Sequence, residues 1–267
     1  MVGDWRSYDD IAERYDPVWS ARFEAVARQI WALAPPHTDD KVLDIGTGTG
    51  IVPRALAEKA TRAGLTVGCD RSAAMLRRAR ERVAGMHVLV ADATALPFRE
   101  ESFHLATASF VLSHIRDYPR ALAETLRVLK PSGRLAVSSW APPSDPYSAA
   151  WREWLAEAIS KPEAEHATAE VAPWEDHFSR EGALEAALTR AGFKPVGSEA
   201  VDVESSLTVD QFVEDRELSS GGRLARYMLG AEGWARARAA ARDRFHARFG
   251  SSIRYHRRAF IVIARKP

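Results

Sequence analysis

One nine-residue stretch constrains this chain more than any other. Val42-Leu43-Asp44-Ile45-Gly46-Thr47-Gly48-Thr49-Gly50 is an apolar run that breaks into three glycines at alternate positions, and helical periodicity starts at Ile51. A buried strand entering a glycine turn that opens a helix is the first unit of a doubly wound α/β sheet. Ligands of such sheets sit at the carboxyl ends of the strands, against backbone that glycine leaves uncovered. The strict fingerprint G-x-G-x-x-G is not met: the pattern is G-x-G-x-G, with Ile51 in the sixth position. A glycine turn of this kind also suits packing alone.

The unit then repeats. Ile11, Tyr15, Val18, Trp19, Phe23, Val26 and Ile30 recur at helical spacing over residues 8–33, and Pro35-Pro36 ends the run. Strands are expected at Lys41–Ile45, Leu65–Cys69, His87–Val90, Phe103–Ser109 and Arg134–Ser139. Helices are expected at Ile51–Ala63, stopped by Gly64, and at Ala73–Val83, behind an N-cap at Ser72. A third carries Leu122, Leu126 and Leu129 and is closed by Pro131 and Gly133. Further on come a helix at Gly182–Ala191, a strand near Pro195–Val203, one long helical segment over Thr208–Phe249, and a strand of central composition within Arg254–Arg265. This alternation predicts an α/β fold, Rossmann-like and doubly wound. Its sheet is seven-stranded and mostly parallel, with helical N-terminal and cap insertions. Residues 1–267 read as a single domain. Residues 1–36 form a helical lid and 37–140 the core; 141–181 and 208–252 are variable insertions on the acceptor side.

Composition narrows the setting. With 46% apolar and 27% charged residues, a disordered or collagen-like chain is excluded. The lone Cys69 rules out an intrachain disulfide or a Cys-rich zinc site, so no metal is expected and a reducing, cytoplasmic location is. No apolar run approaches the roughly 18 residues of a membrane span, and the acidic N-terminus lacks the features of a signal peptide. The net charge of +1 conceals an asymmetry. Residues 223–267 carry 12 basic and 2 acidic side chains, against 25 and 34 in the first 222.

Three acids end three successive strands. Asp44 precedes the first glycine by two residues, Asp70 closes the second strand and Asp92 follows the third. An acid at Asp44 would repel a phosphate but suits an amine or a cation. Asp70 is placed to accept from ribose hydroxyls, and Asp92 to receive an exocyclic amine. The set Asp44–Gly50, Asp70, Ala91-Asp92-Ala93 with Leu96-Pro97-Phe98, and Val128-Leu129-Lys130-Pro131-Ser132-Gly133-Arg134-Leu135 resembles the class I S-adenosylmethionine-dependent methyltransferases. Within them it is most similar to the small-molecule branch of the ubiquinone/menaquinone-biosynthesis type. The similarity covers residues 5–140 well and the rest in outline.

The resemblance implies S-adenosylmethionine as cofactor and S-adenosylhomocysteine as product. It places Asp44, Gly46, Thr47 and Gly48 at the methionine end, Asp70 at the ribose, and Asp92 with Ala93 at the adenine. Arg71 and Met75 would flank adenine and ribose; Ser109 and Phe110 would form the pocket floor. The segment Tyr8–Asp16 is similar to the family's opening helix, which closes over the cofactor. Tyr8 and Tyr15 there would meet the sulfonium, whose charge an aromatic face attracts, or else simply pack the helix. Two positions depart from the family pattern. His104 stands where an acid often follows Phe103, and Ser132-Gly133 replaces Gly-Gly. The first is expected to remove an acid from the rim of the site.

A hydroxyl acceptor needs a base. His114, five residues past Ser109, is the best-placed candidate, with a capping or packing histidine as its alternative; His177 beside Asp176 is a second. Trp140, Tyr147, Trp151, Trp154, Trp174 and Phe178 would either wall an aromatic, polyketide or sugar acceptor or pack the insertion, the latter for most of them. Arg236, Arg238, Arg242, Arg244 and Arg248 would either face an acidic substrate or form a solvated helix face. The function expected is methylation of a small molecule, aromatic or anionic among the candidates, with a preference for oxygen. The chain would act as monomer or homodimer, without membrane and without nucleic acid. The competing readings are a non-methylating enzyme on the same scaffold, an RNA methyltransferase, a nicotinamide-dependent oxidoreductase and a binding protein without catalysis.

Overall fold

The computed structural model describes residues 4, 6–58 and 64–267. Asp9–Ile11 make a 3-10 turn that leads into α1 (Ala12–Leu33). Strand β1 (Lys41–Ile45) enters the glycine turn, from which α2 (Ile51–Ala57) starts. The end of the expected Ile51–Ala63 helix falls at 59–63, outside the described residues. Then come β2 (Leu65–Asp70), α3 (Ala73–Arg82), β3 (His87–Val90) and β4 (Phe103–Ser109). A 3-10 turn at Leu112–His114 leads to α4 (Tyr118–Val128) and β5 (Leu129–Trp140). Segment 141–181 carries α5 (Pro146–Ile159), α6 (Lys161–Val171) and α7 (Glu175–Phe178). The chain finishes with α8 (Ala183–Arg190), β6 (Lys194–Thr208), α9 (Val209–Glu217), α10 (Ser220–Phe249) and β7 (Ser252–Arg265).

The seven strands form one sheet in the order β3-β2-β1-β4-β5-β7-β6, as the α/β reading requires. The first five pair in parallel, and β7 runs antiparallel between β5 and β6. The strand order reverses at β1, where Asp44 pairs with Gly68 on one side and Thr107 on the other. That crevice is where a doubly wound sheet takes its ligand. Each face of the sheet is covered. Val26, Ala27, Ile30 and Trp31 of α1 pack with Val42, Leu105 and Ile261, and Trp31 Nε1 donates to the Val52 carbonyl (2.8 Å). Tyr118 and Leu122 of α4 pack with Phe178 and Leu188 on Leu43, Leu135 and Val262.

Expected boundaries move at two places. α4 stops at Val128 and not at Pro131, because Leu129 buries its side chain with the sheet and opens β5. Ser132, in place of glycine, takes φ +62°, which glycine adopts more readily. The expected helix over Thr208–Phe249 is two helices that meet at a corner. Ser219 caps α10 by accepting from Gly222 N (3.2 Å), and a Cβ on Gly222 would lie 2.2 Å from the Arg216 carbonyl oxygen. α10 breaks again at Gly230 (φ +65°, ψ 178°).

The two variable segments build one helical body. Trp151, Trp154 and Ile159 of α5 pack with Phe212 of α9, with Trp234 and Phe245 of α10, and with Ile253. Trp151 and Trp154 are therefore core residues of that body, and Phe178 is buried against the sheet. The β6–β7 pair runs farther than expected. β5 ends with Trp140 opposite Ala259, so Ser252–Arg258 and their partners Asp202–Thr208 continue past the end of β5. Among the described residues no helix is long and apolar enough to cross a membrane.

Candidate functional site

A cavity of about 990 Å³ opens at the carboxyl ends of the strands. Its volume is at the upper end of the range for ligand pockets, room for more than one small ligand. The glycine turn forms one wall. Gly46 sits at φ +66° with Val111 so close that a Cβ would fall 2.3 Å from Val111 Cγ2. Gly48 sits at φ +54°, and a Cβ there would meet nothing within 4 Å. The first glycine is required by packing and the second leaves backbone uncovered.

The three acids line this cavity in different environments. Asp44 is buried: Oδ1 accepts from Thr107 Oγ1 (2.5 Å), while Oδ2 has no hydrogen-bond partner in the protein. Burial, with the charge of Asp70 adding to it, pushes its carboxyl up to about 6 against the donation from Thr107. Asp70 Oδ2 accepts from Gly48 N and Oδ1 from Ser72 N, both at 2.9 Å, so it ties the turn to the start of α3. Burial also raises its carboxyl above the ordinary value, against those N–H donors. Asp92 is exposed at the rim, accepts from Thr94 N (2.8 Å), and lies 4.0 Å from the Arg71 guanidinium.

Asp44 makes stability depend on pH with a definite sign. The carboxyl titrates near 3.8 when free and near 6 when folded, so the folded chain binds the extra proton between those values. Its contribution to stability therefore falls as pH rises through that window, by about 3 kcal/mol. Asp44→Asn is expected to gain stability relative to the wild type between pH 4.5 and 7.5, read by urea unfolding at both values. A constant difference would contradict the burial of this charge.

Other expected residues gather here as well. Gly46, Thr47, Arg71, Met75, Ala93, Ser109 and Phe110 all line the cavity. Ser109 Oγ lies 2.8 Å from Ser138 Oγ. Tyr8 and Tyr15 line it from the N-terminal segment with ring centroids 6.4 Å apart. Hydrogen bonds to three parts of the chain hold that segment. Asp9 accepts from Ser72 Oγ (2.6 Å) and Ala74 N (2.9 Å), Asp16 accepts from Thr49 Oγ1 (2.5 Å), and Arg223 Nη1 donates to the Ser7 carbonyl (2.8 Å). His114 also lines the cavity, its ring 5.8 Å from that of Tyr8. Its Nδ1 lies 2.9 Å from the Val171 carbonyl oxygen. A carbonyl only accepts, so in the neutral ring Nδ1 carries the proton and Nε2 is the basic nitrogen. Burial holds the imidazole below its ordinary value, against the pull of Glu175, the Val171 carbonyl and Asp70 toward the charged form.

Two expectations, for His177 and His104, are corrected. His177 does not line the cavity; it packs among Tyr118, Trp174 and Phe178. His104 accepts from Lys41 N (2.9 Å) at the amino end of β4, the opposite edge of the sheet, so it takes no acid away from the rim. Of the six aromatic residues that would either wall the acceptor or pack the insertion, Trp140 alone lines the cavity, in keeping with packing for most of them. Cys69 reaches the cavity edge, but burial pushes its thiol up to about 12 and keeps it protonated. The helical arginines pair with acids outside the site: Arg238 with Glu217, Arg242 with Asp210, Arg244 with Glu157 and Arg248 with Glu153. Among the described residues no group of His, Cys, Asp and Glu is arranged to hold a metal ion.

Residues 43–137 match the family of methyltransferase domains. The demethylmenaquinone methyltransferase of Corynebacterium kroppenstedtii is 31% identical over 207 residues, which cover 72% of this chain and 86% of that protein. The enzyme of the same name from Beutenbergia cavernae is 31% identical over 71% of this chain and 82% of its own. The chain belongs to the class I S-adenosylmethionine-dependent methyltransferases. Two solved structures show the same fold. One is phosphoethanolamine N-methyltransferase 2 of Haemonchus contortus, in complex with phosphomonomethylethanolamine and S-adenosylhomocysteine. It is 19% identical with TM-score 0.56, over 100% of this chain and 61% of that one. The other, the [4+2]-cyclase SpnF, is 21% identical with TM-score 0.56, over 91% and 81%.

Sequence reading of this methyltransferase missed part of the cavity wall. Trp19, Arg22 and Phe23 of α1, Arg216 and Ser219 at the α9–α10 corner, and Arg257 of β7 all line it. Asp16 was visible within the Tyr8–Asp16 motif, but nothing local tied it to Thr49. Arg216 and Arg257 carry no local signal, since their placement depends on a helix corner and on a strand pair that outruns β5.

Proposed function

We propose that this methyltransferase transfers a methyl group to an oxygen of a small-molecule acceptor, with His114 as the base. The observation that carries the reading is His114 itself: a neutral imidazole on the cavity wall, with Nδ1 committed to Val171 and Nε2 left as the basic nitrogen. A histidine of this kind can take a hydroxyl proton as the acceptor oxygen becomes a nucleophile. When bound, S-adenosylmethionine supplies an electrophilic methyl group on sulfur. The chain's own work is to orient both ligands, exclude water and move one proton.

The residues fit that cofactor. The partnerless Oδ2 of buried Asp44 suits the methionine ammonium, and the uncovered backbone at Gly48 suits close approach. Asp70 would accept from the ribose hydroxyls, and Asp92 with Ala93 would take the adenine edge, flanked by Arg71 and Met75. Tyr8 and Tyr15 would meet the sulfonium, and residues 1–36 would close over it as a lid on one domain. The Corynebacterium and Beutenbergia relatives, by their names, methylate a demethylated menaquinone, and this supports a small-molecule acceptor here.

Asp70→Ala removes a charged acceptor and also frees the Gly48 and Ser72 amides. S-adenosylhomocysteine affinity is expected to fall about 10- to 100-fold by calorimetry. Wild-type affinity would remove Asp70 from the ribose. The acceptor atom is tested with methyl-labelled S-adenosylmethionine, a metabolite extract and, in parallel, RNA. Label is expected on an oxygen of a small product; label on nitrogen or carbon, or in RNA, would overturn the proposal.

A further inference from the structure

We propose that Arg223 of α10 is a positioning residue for the methyl transfer. It acts through Tyr8, holding that ring against His114 and thereby fixing the base. The proposal rests on the reading of His114 as base and names the side chain that keeps it in place.

Tyr8 stands between the two. Its ring meets that of His114 edge-on, with centroids 5.8 Å apart and the planes at 84°. The guanidinium carbon of Arg223 lies over the same tyrosine ring, 4.7 Å from the centroid. Arg223 Nη1 also donates to the carbonyl of Ser7, the preceding residue (2.8 Å). One side chain therefore holds both the backbone and the ring of this stretch. A cation over an aromatic face is attracted to it, more strongly where water is excluded. Asp9 and Asp16 fasten the segment farther along, to the start of α3 and to Thr49. Those bonds do not set which way the Tyr8 ring faces.

Arg223 is 7% exposed. Among the described residues no carboxylate pairs with its guanidinium, and Nε has no hydrogen-bond partner. A buried cation without a counter-ion costs stability, and an apolar side chain would pack there at less cost. The charge therefore points to a task other than packing. The corner that carries it is firmly seated. Arg223 N donates to the Ser219 carbonyl (2.9 Å) in the first turn of α10, and a Cβ on Gly221 would fall 2.5 Å from Leu155 Cδ2 of α5. His114 is met from several elements. Burial is the chief cause that keeps its ring neutral, and Arg223 of α10 adds to it. Glu175 of α7, the Val171 carbonyl of α6 and Asp70 of β2 work the other way. A general base must stay within hydrogen-bond reach of the proton it takes, so a ring held by Tyr8 on one side and Val171 on the other is suited to the task.

The test observes His114 directly and needs no acceptor. The full chain, isotopically labelled at histidine and tyrosine and saturated with S-adenosylhomocysteine, is followed by NMR. The signals of His114 are those missing from H114Q. In the wild type a nuclear Overhauser contact is expected between the Tyr8 and His114 rings. Arg223→Met keeps an apolar stem and removes the cation. It is expected to abolish that contact and to make His114 titrate at a higher pH than in the wild type. S-adenosylhomocysteine affinity should stay within about tenfold, since Asp9 and Asp16 still fasten the segment. R223K, which restores the cation, is expected to return the titration toward that of the wild type and to recover part of the contact. Where R223M does not fold, R223Q, which keeps a donor for the Ser7 carbonyl, carries the same expectations. A wild type without the ring contact, or a variant in which contact and titration are both unchanged, would overturn the proposal. Unchanged turnover in H114Q would instead overturn the reading of His114 as base, whatever the ring contact shows.

Discussion

Replacing His114 by glutamine is expected to lower turnover by about 10²- to 10⁴-fold, the range supplied by a positioned general base. Glutamine keeps a donor for the Val171 carbonyl and roughly the size of the ring, so the loss would fall on proton transfer more than on packing. S-adenosylhomocysteine affinity should stay within about threefold, because the groups proposed to hold it sit on the glycine turn and β2. The pH profile gives an independent reading. Burial holds the His114 imidazole below its ordinary value of 6.5, so the basic form prevails at neutral pH. Turnover should fall as pH drops through that lowered value, and H114Q should lose this acid limb. Unchanged turnover, or an acid limb that persists in H114Q, removes His114 from the role of base.

Asp215→Ala is expected to destabilise the fold by about 3–5 kcal/mol at neutral pH. Asp215 is buried, accepts from Trp19 Nε1 (2.5 Å) and Arg216 Nε (2.7 Å), and bonds to Arg22. It thus joins α1, which carries the proposed lid and part of the acceptor wall, to the α9–α10 corner. Its removal would leave two guanidiniums without their shared counter-ion, Arg22 among them buried. Burial works against the Asp215 charge, but Arg216 and Arg22 outweigh it and hold the carboxyl below 3.8. A depressed pKa stabilises above the unfolded value and loses that contribution as pH falls through the folded one. The gap between wild type and D215A should therefore be widest at neutral pH and narrow below about pH 3.8, in urea unfolding at several pH values. A gap under about 1 kcal/mol at neutral pH would show that these charges do not hold α1 to α9.

The two predictions fall on opposite sides of what local sequence could reveal. The glycine turn, the acids after it and His114 follow one another at short, regular offsets from strand ends. Strand ends are set by local patterning, and the structure brings those residues together around one cavity. The same logic put Ala259–Ala264 in the interior of the sheet, since an unbroken apolar run suits a strand covered on both faces. Asp215, Arg22 and Arg257 meet their partners across nearly 200 residues or across a strand pair that outruns its neighbour, which no window of sequence contains. The aromatic residues of α5 were legible as a wall or as packing, with packing favoured for most of them, and Trp234 and Phe245 of a distant helix place Trp151 and Trp154 in a core. His104 was assigned to the wrong edge because the family's acid was treated as part of the rim. The start of a parallel strand lies at the amino edge, away from the ligand. Part of the basic C-terminal region pairs with acids of the preceding segments, Arg238 with Glu217, Arg244 with Glu157 and Arg248 with Glu153 among them.

A crystal structure of the chain with S-adenosylhomocysteine tests the central claim most directly. The account predicts the amino group within hydrogen-bond distance of Asp44 Oδ2, the ribose hydroxyls on Asp70 and the adenine amine at Asp92. His114 Nε2 should face the chamber bordered by Phe110, Trp140 and Arg257. An S-adenosylhomocysteine bound elsewhere, or with its amino group turned away from Asp44, would contradict it.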